Sequence, residues 1–111
     1  MAAKKKTAKT AVKKGEYVIA RCRDAGVHAG YLVSTNASHT VLRDARRIWY
    51  WSGAASLSEI AVYGLNPAKS QASKIAAPVK SVRLRDSDVC ELTVCTEDGR
   101  KSVEGAPVWR A

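Results

Sequence analysis

ARRIWYWSGAASLSEIAVYG, residues Ala45–Gly64, holds two of the three tryptophans, an adjacent arginine pair and the clearest helix signal in the chain. Up to Trp51 it is dense in aromatic and branched side chains, which favour an extended backbone. Ser52-Gly53-Ala54-Ala55 interrupts that run. Ser56 then opens the pattern Ser-Leu-Ser-Glu, a capping box in which Ser56 accepts from the amide of Glu59 and Glu59 reaches back toward Ser56. Leu57, Ile60 and Ala61 fall on one face. Gly64 is suited to closing the helix in the left-handed conformation, and Pro67 prevents it from restarting. Two turns of helix do not hold in water alone. The helix therefore has to dock its apolar face on a sheet.

The sheet is predicted on both sides of it. Upstream, Glu16–Arg23 alternates, with Val18, Ala20 and Cys22 on one face and Tyr17, Ile19 and Arg21 on the other. Asp24-Ala25-Gly26 is a turn. Val27–Ser34 is a second strand whose Gly30 marks a bulge or bend. After a turn centred on Asn36, His39–Trp51 begins as a third strand. Downstream, Asn66–Ala77 is a loop, Pro78–Arg85 a fourth strand and Val89–Thr96 a fifth. Asp98-Gly99 carries the strongest hairpin signal in the chain, with Lys101–Val103 pairing back briefly. Pro107–Arg110 is predicted as a terminal edge strand, with Trp109 covering one end of the core. The fold class expected is mainly β (α+β): a bent five- to six-stranded antiparallel sheet, or a small barrel similar to SH3-like and Sm-like barrels, with one short helix near residues 56–63.

Length allows one domain with one core. The net charge of +9 is uneven, because Lys4, Lys5, Lys6, Lys9, Lys13 and Lys14 precede Gly15 with no acid among them. Without those six, residues 15–111 carry only +3. Residues 1–14 are expected to be a disordered lysine-rich tail and residues 15–111 a single small mostly-β domain. Such a tail attracts nucleic acid without reading its sequence. Cys22, Cys90 and Cys95 are odd in number and form no C-x-x-C, which fits a reduced intracellular protein. The apolar runs are too short to span a bilayer, so no membrane is expected as partner.

The residues expected to bind a partner are Arg46, Arg47, Trp49 and Trp51. In a regular strand Arg47, Trp49 and Trp51 share one side and Arg46, Ile48 and Tyr50 the other. With Ile48 and Tyr50 inside, the first three form an exposed stripe able to stack a ring while arginine takes a phosphate. The same side chains also suit a homo-oligomer contact. With the opposite orientation the tryptophans are core and the arginines pair with acids. His28 and His39 match no metal-ligand spacing, His28 reads as a surface strand residue, and no base or orienting group is nominated for a cysteine nucleophile. P-loop, G-x-G-x-x-G and G-x-S-x-G patterns are absent from the sequence. No enzyme activity, cofactor or metal is expected.

Across residues 17–111, the segments VHAGYLV, ARRIWYW, GAASL and PVWR together resemble a family of short uncharacterised proteins of tailed bacteriophages and prophages. The resemblance implies a phage product in the host bacterial cytoplasm, an accessory or counter-defence factor, and transfers no catalytic residue. The expected function is a non-enzymatic binding protein whose partner is an anionic, nucleotide-like small molecule or a host protein. Two alternatives stand beside it. One is a nucleic-acid-binding protein that uses the basic tail. The other is a minor virion or assembly component.

Overall fold

The computed structural model describes residues 12–110. The expected disorder of the tail, with Lys4, Lys5, Lys6 and Lys9, falls on residues outside that range up to residue 11. Lys13 and Lys14 are exposed at a turn that leads into the domain. There Lys13 N donates to Glu16 Oε1 at 2.6 Å and Gly15 N to Leu32 O at 2.8 Å.

Six strands form one antiparallel sheet: β1 (Tyr17–Cys22), β2 (Val27–Thr35), β3 (His39–Tyr50), β4 (Lys74–Ile75), β5 (Val79–Arg85) and β6 (Val89–Val94). Two helices accompany it, α1 (Leu57–Tyr63) and α2 (Glu97–Glu104). The strand order is β4-β3-β2-β1-β6, and β5 also pairs with β3. Twelve residues make β3 long enough to serve two partners along one edge. Its first half pairs with β5 and its last residues with β4.

The bend expected at Gly30 is present, and its cause lies across the ladder. Ala29 pairs with Arg46 while Tyr31 pairs with Arg43, so β3 carries one residue more than β2 at this point. Asp44, with φ of 50°, absorbs it as a bulge. Gly30 is required opposite: a Cβ there would lie 2.9 Å from Arg43 O and 3.1 Å from Ala45 Cα. A second constraint curls the sheet. Only the 3-10 turn Asp86–Asp88 joins β5 to β6, which lie at opposite margins. That turn ties distant ends together, since Asp86 N donates to Ser38 O and Arg23 N to Asp88 O, both at 2.8 Å. The Asp88 carboxylate accepts from the amides of Asp24 and Ala25, and these bonds, Asp24 first, hold its pKa below the usual range. The sheet nevertheless stays open and forms no closed barrel; among the described residues no pairing joins β5 to β6.

Curling gives the sheet two buried faces. Val18, Ala20, Cys22, Leu32, Leu42, Ala45 and Leu84 fill its hollow. On the outer face Tyr17, Ile19, Ala29 and Ile48 pack under Leu57, Ile60 and Ala61 of α1 and Val103 of α2. That is why β1 is buried on both sides. Helix α1 forms as expected. Ser56 Oγ accepts from Glu59 N, and Gly64, at φ of 80°, donates to Ile60 O at 2.9 Å. Glu59 reaches back to the amide of Ala55 rather than to Ser56.

The end of the chain departs from expectation. The predicted hairpin at Asp98-Gly99, with Lys101–Val103 pairing back, is instead the helix α2. Thr96 caps it, its hydroxyl oxygen accepting from Gly99 N at 3.1 Å, and Glu97 and Asp98 complement the positive end of the helix. Thr96 N also donates to Ala61 O at 2.9 Å, so α2 starts where α1 leaves its carbonyls unpaired. Pro107–Arg110 forms no strand. A bond of 2.9 Å from Trp109 N to Ile75 O lays this segment beside β4, itself a strand in what was predicted as loop.

Candidate functional site

The hollow of the sheet is filled as far as Ala45, the residue opposite the start of β5 at Val79. Beyond it the same row of β3 continues as Arg47 and Trp49, and among the described residues no strand covers them. Both are exposed, Trp49 to 61%. The Arg47 guanidinium carbon stands 5.7 Å from the Trp49 ring centroid. Because Ile75 pairs with Ile48 and Trp109 N binds Ile75 O, a second indole arrives alongside. The Trp49 and Trp109 centroids are 6.5 Å apart with the rings at 60°. Lys74 Nζ lies 5.4 Å from the Trp109 centroid. The surface thus reads cation, indole, indole, cation. Concavities of about 310 Å³ and 280 Å³ flank Trp49, one against the Asp24–Val27 turn, the other over His28, Ala76 and Val79.

His28 pairs with Arg47 across the ladder and is buried, contrary to its expected place on the surface. It sits on a central strand under the Asp24–Gly26 turn. Its Nε2 is 3.0 Å from Ala25 O, and because a carbonyl only accepts, that nitrogen carries the proton. Desolvation pushes the His28 pKa down, and the positive Arg47 adds to this, against the raising effect of the Ala25 bond. His28 is therefore a neutral floor to the site.

The four residues expected to form the stripe separate. Arg47 and Trp49 lie on it together. Trp51 sits deeper: it is half-buried against the helix-side core, its Nε1 donates to Ala54 O at 3.2 Å, and it meets the stripe at the concavity of about 310 Å³ that it lines with Arg47 and Trp49. The alternation of β3 breaks between Ile48 and Tyr50, where the pairing with β4 shifts register, and Tyr50 points outward instead. Arg46 is withdrawn altogether, only 2% exposed. Its Nε donates to Ala76 O at 2.8 Å and its Nη1 to Val103 O at 2.8 Å and Ala106 O at 2.7 Å. It binds the protein's own backbone. Trp109 and Lys74 were not nominated from the sequence. Nothing local marks them, since both join through long-range pairings to β3 and β4.

A larger concavity, about 650 Å³, lies away from this surface, between the segment after α1 and the end of α2. Lys101 is the sole charged side chain lining it and Tyr63 the sole aromatic one, so it lacks the paired cations and stacked rings found at Trp49. Among the described residues no three metal-ligating side chains converge, and no helix is long and apolar enough to cross a membrane.

The cysteines are free: Cys22 is buried, Cys95 half-buried and Cys90 exposed. Burial pushes the Cys95 thiol up to about 11 from 9.0. The fold holds the neutral thiol, so this group's contribution to stability is intact below pH 9 and is lost as pH rises through about 11. A thiol-reactive disulfide reagent is expected to modify Cys90 alone in the native protein at neutral pH, and Cys95 only as pH nears 11. Mass spectrometry of the labelled chain reads the order; early labelling of Cys95 contradicts it.

Residues 15–103 match the family described as a domain of unknown function (DUF6948). The match takes in Arg47, Trp49 and Lys74 and ends before Trp109. Among curated proteins none matches the chain.

Proposed function

The chain belongs to the DUF6948 family, and we propose that this member is a non-enzymatic binding protein for an anionic, ring-bearing ligand of nucleotide type. The observation that carries the reading is the exposed Trp49 set between Arg47 and the Trp109–Lys74 pair. An indole held at 61% exposure forgoes a large area of burial. Covering it with a heteroaromatic ring contributes about 1–3 kcal/mol. The two cations stand at the margins of the indole pair, where a phosphate attached to such a ring would fall, and arginine suits phosphate through its forked donors. The setting that goes with this reading is a phage product in a bacterial cytoplasm.

Calorimetric titration of the full chain with the four ribonucleoside monophosphates tests it. At least one is expected to bind. Arg47→Ala and Trp49→Ala should each weaken that binding about tenfold, the equivalent of losing one charge-assisted bond or one stack. Binding by none of the four, or binding indifferent to both substitutions, would falsify the reading. Trp49 and Tyr50 are adjacent and both more than half exposed. That favours, as second reading, a host protein covering both rings, in keeping with the prominence of Trp, Tyr and Arg in interface hot spots. Trp49→Ala and Tyr50→Ala would then both release the partner, whereas a nucleotide site is insensitive to Tyr50.

A further inference from the structure

We infer that the outer face of β3 and β5 is a second site, independent of the Trp49 surface, and that it holds the phosphate backbone of a single-stranded nucleic acid. The pairing register puts Arg43 across from Ser81, Val41 across from Arg83 and His39 across from Arg85. The intervening residues Leu42 and Leu84 turn into the hollow. Arg43, Arg83 and Arg85 therefore rise from one face of two adjacent strands. All three are exposed.

Acids do not neutralise the patch. Arg43 pairs with Asp44 at 2.8 Å, with both side chains more than half exposed, a contact that solvent weakens. Arg43 also stacks on the Tyr31 ring, 4.3 Å from its centroid, which holds the guanidinium in place. Among the described residues Arg83 and Arg85 have no ion pair. Two like charges kept side by side without a counter-ion suit a partner that supplies several negative charges.

Spacing suits that partner. Residues two apart on a strand repeat every ~6.7 Å. That is close to the separation of successive phosphates in an extended single strand, and guanidinium groups bind each phosphate through paired donors. β5 is also a margin of the sheet, so a chain can run along it without obstruction from a further strand. An extended acidic peptide repeats its carboxylates at a similar spacing, and competition with polyglutamate separates it from a nucleic acid.

The test is fluorescence anisotropy of the full chain with a labelled oligothymidylate across a salt series. The double variant Arg83→Ala/Arg85→Ala is expected to bind about tenfold more weakly at low salt and to lose ~1.4 from the salt slope, 0.7 for each phosphate contact. Arg83→Lys/Arg85→Lys should keep the slope, since the charge remains. Replacing Lys4, Lys5, Lys6, Lys9, Lys13 and Lys14 by Gln in the full chain removes the tail's share and should leave the further drop caused by the double variant. The slope lost in the double variant should be the same with a saturating nucleoside monophosphate present, which occupies the Trp49 surface and so separates this site from the proposed nucleotide site. The inference is overturned if the double variant keeps wild-type affinity and slope. It is equally overturned if Trp49→Ala abolishes binding, or if polyglutamate of equal charge displaces the oligonucleotide as readily as unlabelled oligothymidylate does.

Discussion

Arg46→Met is expected to destabilise the domain by about 4 kcal/mol, measured by urea unfolding followed through tryptophan fluorescence. Each buried acceptor stripped of its donor costs about 1–3 kcal/mol. The guanidinium serves at least three short bonds, to the carbonyls of Ala76, Val103 and Ala106. These belong to the segment after β4 and to the last turn and tail of α2, so one side chain ties β3 to two separate pieces of chain. Among the described residues no carboxylate accompanies it. The negative end of α2 and the converging carbonyls take that part. Desolvation lowers the Arg46 pKa, with Tyr17 acting the other way. An arginine starts high enough to stay charged regardless. Methionine fills much of the volume and none of the donor capacity. Arg46→Lys should recover less than half of the loss, because one ammonium does not span the carbonyls a planar fork reaches. With total stabilities of about 5–15 kcal/mol for domains in general, such a loss brings this one near its threshold. A loss under about 1 kcal/mol in Arg46→Met would show that the carbonyls find water instead.

Gly99→Ala has the next largest expected effect, and here two contributions oppose. Alanine favours a helix interior over glycine by about 1 kcal/mol. Gly99, however, is where α2 rests on the end of α1. A Cβ there would lie 2.6 Å from the carbonyl carbon of Ala61 and 2.8 Å from Ile60 O, and would press on the Ala61 oxygen as well. These are backbone atoms of a capped helix, so relief requires the two helices to part. Thr96 would then lose its bonds to the carbonyls of Ala61 and Val62. Overpacking of this kind costs about 3 kcal/mol or more, which outweighs the helix gain. A net loss of about 2–3 kcal/mol lowers the melting temperature by roughly 10 °C or more in a domain of this size. Thermal unfolding by circular dichroism measures it; an unchanged or higher melting temperature would mean that the helices separate at little cost.

The same glycine shows how a local signal misleads. Asp98-Gly99 favours a tight hairpin when two strands are there to be joined. Among the described residues β6 pairs with β1 alone, so its outer edge is open to a returning strand, yet the carbonyl end of α1 needs donors and the outer face of the sheet needs covering. Tertiary demand chose the helix, and the glycine permits close helix contact rather than a turn. The partial reading of β3 has a related cause. Alternation put Arg47 and Trp49 together correctly, but it holds only while a strand keeps one register. Asp44 and the shift before Tyr50 are changes of register, and they decide that Arg46 and Ile48 go under the helices and that Trp51 turns inward.

Alternation, turn chemistry and capping residues act over a few neighbours, and so the chain's own order of residues was enough to specify the three-stranded meander, the bend at Gly30 and the helix from Ser56 to Gly64. Folding added what depends on residues far apart in the chain: the burial of a charged guanidinium, the meeting of Trp49 with Trp109 and Lys74, and the alignment of arginines from β3 and β5. Those outcomes come from which segments the curled sheet brings into register, and the energy of that register belongs to contacts between segments rather than to any one of them.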